Sequence, residues 1–271
     1  MLALLLFAIV SVSLGFLLLP IVALYTRQPP GELVHQLSNP VVTDALRLSI
    51  ETSAIAQALI IVLGTPTAYL IASRRFPGRS LVITLVELPL VLPPAVAGIG
   101  LLVAFGRLGV LGSTFGTLGI DVAFNRAAVV IAVAFVASPL YVRQAIASFE
   151  AIDQNLVAAS RTLGAGPVRT FFHVVLPIAR GGLAAGGALS LARGLGEFGA
   201  TIMFAGSLQG VTQTLPLAIY AQFDRNFDVA VTISALFVVL TAAILLSLKL
   251  SSLWPASRQT SRSLFARLSL S

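Results

Sequence analysis

Six long apolar runs, carrying few or no charged residues, recur along the chain. A helix needs about 20 mostly apolar residues to cross a bilayer, whereas the strands of a membrane barrel alternate apolar and polar residues over about ten positions. These runs are continuous and about twice that length, so they predict an all-α integral membrane protein with six transmembrane helices. The predicted spans are 2–25, 47–73, 81–106, 127–147, 181–206 and 229–252.

Composition excludes most soluble and enzymatic classes. Hydrophobic residues make up 57% of the chain and charged residues 10%, whereas soluble domains carry about 25% charged residues. Cysteine is absent, and His35 and His173 are too far apart in sequence to form a helical metal pair. The single lysine, Lys249, follows no glycine-rich loop, so the chain lacks the phosphate-binding loop of many ATPases. We therefore expect no metal, no cofactor and no enzymatic activity in this chain.

The basic residues lie between the apolar runs, which is typical of charges that orient a membrane protein and not of a nucleic-acid-binding patch. Six spans put both termini on one side. That side carries 11 of the 17 Lys and Arg residues and the opposite side carries five, while Arg193 lies within a span. The excess predicts cytoplasmic termini. We interpret residues 1–254 as one transmembrane domain with a retained first helix, and 255–271 as a basic Ser- and Arg-rich cytoplasmic tail against anionic lipid.

The segment 150–180, between the fourth and fifth predicted spans, has the composition of a structured cytoplasmic loop. The pattern predicts a short helix over 150–163 with Asp153 in its early turns, a break at 164–167, and a second short helix over 168–176 that ends before Pro177. The residues alone leave open an amphipathic helix that lies on the lipid headgroups.

The spacing within this loop resembles the EAA loop of ABC importer permeases. Nine residues separate Gly164 from Val174, and the segment ends in Leu176 and Pro177. Ala158 stands where the family usually has Glu, and Ser160 where it has Ala. The resemblance implies that the loop couples the spans to a cytoplasmic ATPase. The candidate coupling residues are Ala158, Ala159, Ser160, Gly164, Ala165, Gly166, Val174, Leu176 and Pro177.

Three further stretches resemble the permeases of molybdate ABC transporters, with the sulfate permeases as close relatives. They are LPLVLPP at 88–94, ARGLGEFGAT at 192–201 and TQTLPLAIY at 212–220. The resemblance implies a homodimer, two copies of a separate ATPase that binds ATP and Mg, and an extracytoplasmic binding protein that delivers the oxyanion. Sulfate or tungstate as the substrate, and an ion-coupled secondary transporter, are the alternatives.

Charged residues and prolines inside the spans are the candidates for the translocation path. Arg193 and Glu197 lie four residues apart, within reach of each other on one helix face. The alternatives are a structural pair, Arg193 with Glu197 or with Glu87, and an Arg193 that meets the oxyanion. Pro93 and Pro94 predict a kink or break in the third span, which either is ordinary for a membrane helix or lines a gate.

Overall fold

The computed structural model describes residues 2–28 and 30–253, so the tail predicted at 255–271 lies outside the described residues. All regular structure in the described part is helical. The helices are α1 Leu2–Arg27, α2 Pro30–Gln36, α3 Pro40–Ser73, α4 Arg79–Val91, α5 Pro94–Phe105, α6 Gly112–Thr117, α7 Arg126–Glu150, α8 Gln154–Thr162, α9 Pro167–Thr170 with a π-helical turn Phe171–Val175, α10 Leu176–Leu195, α11 Gly199–Ala205, α12 Leu215–Phe223 and α13 Phe227–Leu253.

Side-chain caps set the starts of three helices. The Asn39 side chain accepts a hydrogen bond from the backbone N–H of Val41 (3.0 Å), and Pro40 occupies the first turn of α3. Asn125 caps α7 in the same way, and Asp153 caps α8. Each cap satisfies a backbone donor that would have no partner inside the helix. As a result α3 begins seven residues before the predicted span at 47, and Asp153 precedes the loop helix instead of lying within it.

Ion pairs divide the helix ends into two groups. Arg79 donates to the carbonyl of Ile71 (2.9 Å) and pairs with Glu150, so the ends of α3 and α7 lie beside the start of α4. At the other end of the bundle, Arg126 lies 3.4 Å from Glu51. Helices α3 and α7 therefore run in the same direction, and α4 and α5 together must return the chain across the bundle.

The first and last spans follow the same division. Arg27 lies 3.4 Å from Asp228, and the hydroxyl of Tyr25 donates to the carbonyl of Ala235 (2.9 Å). Within the described residues, five helices are long and apolar enough to cross a membrane, and the number is six when the bent pair α4 and α5 counts as one span. Val229 and Ile233, near the start of α13, pack with Val42 and Ala45 near the start of α3, at the end of the bundle opposite Glu150. The start of α1 and the end of α13 therefore lie toward the Glu150 end, and the described helices give six crossings with α4 and α5 as one of them.

The third span is broken, and not merely kinked. Helices α4 and α5 meet at 111° across Leu92 and Pro93, so the predicted continuous span 81–106 is two helices. The last regular bond of α4 runs from the N–H of Leu92 to the carbonyl of Leu88 (3.2 Å). Pro93 and Pro94 have no N–H to continue this ladder, and Pro94 is suited to the first turn of a new helix.

The fifth span differs from its predicted bounds at both ends. The helix that begins at Pro167 continues through α10 to Leu195 without ending before Pro177, so there is no separate second loop helix at 168–176. A π-helical turn precedes Pro177, and this local widening accommodates a residue that cannot donate in the helix. After Leu195 the chain breaks and resumes as α11, so the predicted span 181–206 also contains two helices.

Helix α7 forms the centre of the bundle. It packs against α3 on one side and α10 on the other, and its small and β-branched side chains are buried. Glycines let α10 approach it closely, because a Cβ at Gly194 would lie 2.8 Å from Val133 and one at Gly186 would lie 2.9 Å from Gln144.

Candidate functional site

The loop helix α8 ends in a well-formed C-terminal cap at Gly164. Gly164 has a φ of +84°, which L-residues with a side chain rarely adopt. Its N–H donates to the carbonyl of Arg161 (3.0 Å), and the N–H of Ala165 donates to the carbonyl of Ser160 (3.1 Å). These two bonds form a Schellman motif, which turns the chain sharply from α8 toward Pro167.

A groove of about 520 Å³ runs along this loop. Its walls combine α8 with the start of the long helix that continues into α10, and the exposed side chain of Leu163 stands at its edge. The lining residues include five of the predicted coupling residues, Ala159, Ser160, Ala165, Val174 and Pro177. Ala158 lies on the exposed surface of α8, so a residue in the position of the family's usual Glu faces outward.

The loop is tied firmly to the spans. The hydroxyls of Ser160 and Thr170 lie 3.1 Å apart, which links α8 to the following helix. The ring of Phe171 packs against Tyr69 of α3, with centroids 4.8 Å apart, and against Phe149 of α7 at 6.3 Å. Packed side chains and a hydroxyl contact thus connect α8 and the start of the long helix to α3 and α7.

The two broken spans meet each other inside the bundle. A Cβ on Gly98 of α5 would lie 2.6 Å from the carbonyl oxygen of Ala200 in α11, and one on Gly199 would lie 2.6 Å from Pro94. Only glycine permits this close approach. Helices α5 and α11 are thus two short half-helices that cross at the point where both spans are interrupted.

Arg193 and Glu197 lie at this break. The Arg193 guanidinium lies 2.7 Å from the Glu197 carboxylate, whose side chain is 1% exposed, while that of Arg193 is 33% exposed. The other carboxylate oxygen of Glu197 accepts from the backbone N–H of Ala200 (2.8 Å). Glu197 therefore joins the last turn of α10 to the first turn of α11, and of the pairings considered for Arg193 the structure contains this one.

Glu87 lies apart from that pair. Its carboxylate is 3.4 Å from the Nε of Arg143 on α7, and both side chains are partly exposed. Arg193 and Glu87 therefore do not form the pair considered from the sequence. Pro93 lies in the 111° turn itself, directly before α5.

A second cavity, of about 770 Å³, opens at the Arg126 end of the bundle. There the guanidinium of Arg107 donates to both carboxylate oxygens of Asp121, at 2.8 and 2.6 Å. These hydrogen bonds lower the pKa of Asp121 and raise that of Arg107. Beside them Phe124, with a φ of +58°, donates from its N–H to the carbonyl of Phe204 at the end of α11 (3.3 Å). The wall of this cavity is thus hydrogen-bonded to α11, the short helix that follows the break in the fifth span.

The structure also reveals polar residues that the sequence patterns did not single out. Gln57 of α3 and Arg180 of α10 line a cavity of about 410 Å³ between those helices. Gln57 lies in a run without charged residues, whereas the candidates within the spans were charged residues and prolines. Arg180 was counted among the loop residues. The signal in the sequence that could have indicated Gln57 was an amide side chain in the middle of an apolar run.

The fold and the site define a class: a polytopic helical membrane protein with broken spans at its centre and a groove-bearing loop helix fixed to those spans. Residues 60–254 match the model of the family described as binding-protein-dependent transport system inner membrane component. The chain belongs to this family, and it is therefore the multi-pass membrane component of a transport system and not an enzyme.

Sequence relatives cover most of the chain. It is 43% identical over 233 residues to the molybdenum transport system permease protein ModB of Mycobacterium tuberculosis, covering 85% of this chain and 88% of that one. The ModB of Escherichia coli K12 is 42% identical over 177 residues, covering 65% and 77%. A probable transport system permease protein, NifC of Clostridium pasteurianum, is 37% identical, covering 90% and 86%.

Solved structures share the fold. A bacterial ABC transporter that imports the acidic polysaccharide alginate matches with a TM-score of 0.73 at 16% identity, covering 93% of this chain and 96% of that one. The inward-facing MetNI methionine ABC transporter matches with a TM-score of 0.61 at 20% identity, covering 78% and 94%. The predicted fold, an all-helical permease of the ABC importer type, is confirmed.

Proposed function

We propose that this chain is the permease subunit of an ABC importer that moves molybdate into the cytoplasm. The observation that carries the proposal is the 43% identity to a molybdenum permease over 85% of the chain. The loop and the broken spans lie within the region that matches the family.

In this proposal two copies of the chain form a homodimer with the pathway between them. A separate cytoplasmic ATPase binds ATP and Mg, and an extracytoplasmic binding protein delivers the anion. Both termini lie in the cytoplasm, which agrees with the excess of basic residues on the side of Arg79, Glu150 and the loop.

The groove at α8 supplies the mechanical step. A rigid-body movement of the ATPase acts on α8, and the packing of Phe171 against Tyr69 and Phe149 carries it to α3 and α7. The half-helices α5 and α11 then move relative to each other at the Gly98 contact. The candidate coupling residues act in this loop, and Glu87, Pro93, Pro94, Arg193 and Glu197 hold or line the interrupted spans.

Uptake into reconstituted vesicles tests the function. Molybdate should accumulate only when ATP, the ATPase and the binding protein are all present, and a proton gradient without ATP should drive nothing. Sulfate and tungstate, added as competitors and then as labelled substrates, identify the oxyanion. Accumulation driven by the gradient alone would place the protein among the secondary transporters instead.

A further inference from the structure

An apolar cavity of about 410 Å³ lies between α3 and α10. Ile61 of α3 is among the residues that line it, as are Leu183, Gly187 and Leu191 of α10. A Cβ at Gly187 would meet the Nε2 of Gln57 at 3.5 Å, an ordinary contact, so the missing side chain leaves open space in the wall. Aliphatic groups and a glycine thus form a space that suits an apolar occupant.

Most polar groups of the wall bond to each other or are inaccessible. The hydroxyls of Thr65 and Tyr141 lie 2.6 Å apart. The side-chain oxygen of Gln57 accepts from Ser190 (2.9 Å), and its amide nitrogen is fully buried, so it meets no ligand. Arg180 is the exception, because it is exposed and charged, and no acidic residue lines the cavity with it. The wall is therefore apolar except for one cation.

The length of the cavity matches one leaflet of a membrane. A Cβ on Gly182 would clash with the side chain of Ser148, two residues before α7 ends at Glu150. Arg180, two residues earlier in α10, therefore lies at the end of the bundle that Glu150 marks. The rise from Arg180 to Leu191 is about 16 Å at 1.5 Å per residue, and half of a hydrocarbon core is about 15 Å. The cavity thus extends from the membrane surface, where Arg180 lies, to the midplane.

The charge at the mouth of the cavity calls for an anion from outside the chain. Arg180 forms no ion pair within the described residues. The acidic residues of the same end are already engaged: Glu150 with Arg79, Glu87 with Arg143, and Asp153 as the cap of α8. A second copy of the chain would therefore bring no free carboxylate to this level. Basic pockets between membrane helices on the cytoplasmic side bind anionic lipid headgroups.

We propose that this cavity binds one acyl chain of an anionic phospholipid, with the lipid phosphate on the Arg180 guanidinium. The proposal rests on the function proposed above for the orientation that makes this the cytoplasmic leaflet. Lipid tails are as apolar as leucine, so the chain gains little on leaving the bilayer, and Arg180 supplies the preference for an anionic headgroup. A lipid that enters only when α3 and α10 stand apart stabilises the arrangement of these helices seen here.

Photolabelling of the delipidated full chain in detergent tests the site directly. The probe is a phosphatidylglycerol with a diazirine on its acyl chain, and mass spectrometry of the peptides locates the label. We expect the label within 57–65 of α3 and 180–191 of α10, and we expect unlabelled phosphatidylglycerol to compete for these positions. Phosphatidylcholine should compete about fivefold less well and inorganic phosphate not at all, because Arg180 selects the charge and the cavity selects the chain.

Two substitutions separate the role of the charge from that of the space. Arg180→Gln should weaken competition by phosphatidylglycerol about fivefold, which is the effect of one basic residue at an anionic membrane surface. Its control, Arg74→Gln, removes an exposed cation outside the cavity and should leave the competition unchanged. Gly187→Leu fills the cavity and should abolish labelling of both helices. Its control, Gly181→Leu, adds the same side chain to α10 where open space surrounds it, and should retain the labelling.

Three results would overturn the lipid site. The first is a label spread evenly over the exposed apolar faces of the helices, or labelling that ignores both Arg180→Gln and Gly187→Leu. The second is competition by inorganic phosphate equal to that by the lipid, because the acyl chain would then contribute nothing. The third uses the absence of native cysteine. If Ala184→Cys, in the cavity wall, is crosslinked between two copies by a short bismaleimide despite added phosphatidylglycerol, the second copy covers the cavity.

Photolabelling requires neither the ATPase nor transport, so its outcome is separable from the function proposed above. Labelling of the cavity in a chain that fails to take up molybdate would support the lipid site and refute the function. Molybdate uptake by a chain whose cavity takes no label would support the function and refute the lipid site.

Discussion

Substitution of Arg193 and Glu197, singly and together, distinguishes a structural pair from an anion contact. Arg193→Met removes the guanidinium that pairs with the buried Glu197 carboxylate, and leaves that carboxylate its hydrogen bond from the Ala200 N–H. Breaking a buried pair in this way costs about 3–5 kcal/mol. We therefore expect Arg193→Met to lower the free energy of unfolding by about 3 kcal/mol.

Glu197→Gln should cost less. The glutamine oxygen can still accept from Ala200, and Arg193 is one-third exposed, so its charge can reach water. We expect a loss of about 1–2 kcal/mol. The double variant should lose no more than this, because replacing both members of a buried pair can be nearly neutral. The coupling energy of the two positions is then at least about 3 kcal/mol, obtained from a double-mutant cycle.

Unfolding of the detergent-solubilised protein in increasing SDS, together with thermal melts, measures these differences. The pair Arg126 and Glu51 is the matched control, since it has the same residue types 3.4 Å apart but is 51% and 41% exposed. Its coupling should not exceed about 1 kcal/mol. Uptake per folded protein should recover in the Arg193→Met, Glu197→Gln double variant. A double variant that is fully stable yet transports poorly would refute the structural interpretation and assign Arg193 to the anion.

Three shorter predictions concern topology, coupling and the break. Reporter fusions after Arg79 and at the C-terminus should both report the cytoplasm, and one external signal contradicts the assignment. Gly164→Trp should leave the fold intact, because open space surrounds the site, but should abolish pull-down of the ATPase. The control Gly119→Trp bears similar backbone strain at the opposite end of the bundle and should retain pull-down of the ATPase. Equal recovery of the ATPase with both variants argues against coupling through α8. Gly98→Ala should destabilise the protein by about 1–3 kcal/mol, because the added methyl group would clash with the backbone of α11. Gly100→Ala has open space around it and should stabilise the protein by up to about 1 kcal/mol. Equal effects of the two variants in thermal melts would contradict the close crossing of α5 and α11.

The membrane class and the loop were predictable because both depend on local patterns. Continuous apolar length is enough to identify spans, and the spacing from Gly164 to Pro177 is enough to indicate the loop. The structure adds that Gly164 has a positive φ and closes a Schellman motif, in agreement with the predicted helix break. Whether this loop binds an ATPase remains a prediction.

The helix ends were less predictable, because prolines act differently according to their surroundings. Pro177 was expected to separate a loop helix from the fifth span, yet a π-helical turn carries the helix past it. Pro93 and Pro94 stand together, remove two successive donors and break their span outright. The sequence contains both cases, but the hydrogen bonds of neighbouring turns decide which one occurs.

The sequence by itself determined the class of protein, the number of crossings, the position of the break at the paired prolines and the proximity of Arg193 to Glu197, all of which depend on residues close in the chain. Only the tertiary structure decided that Glu87 pairs with Arg143, that Gly98 contacts Ala200, and that Gln57 and Arg180 line one cavity. These contacts join residues far apart in sequence. They depend on how helices of similar apolar character pack, and composition does not distinguish one apolar face from another.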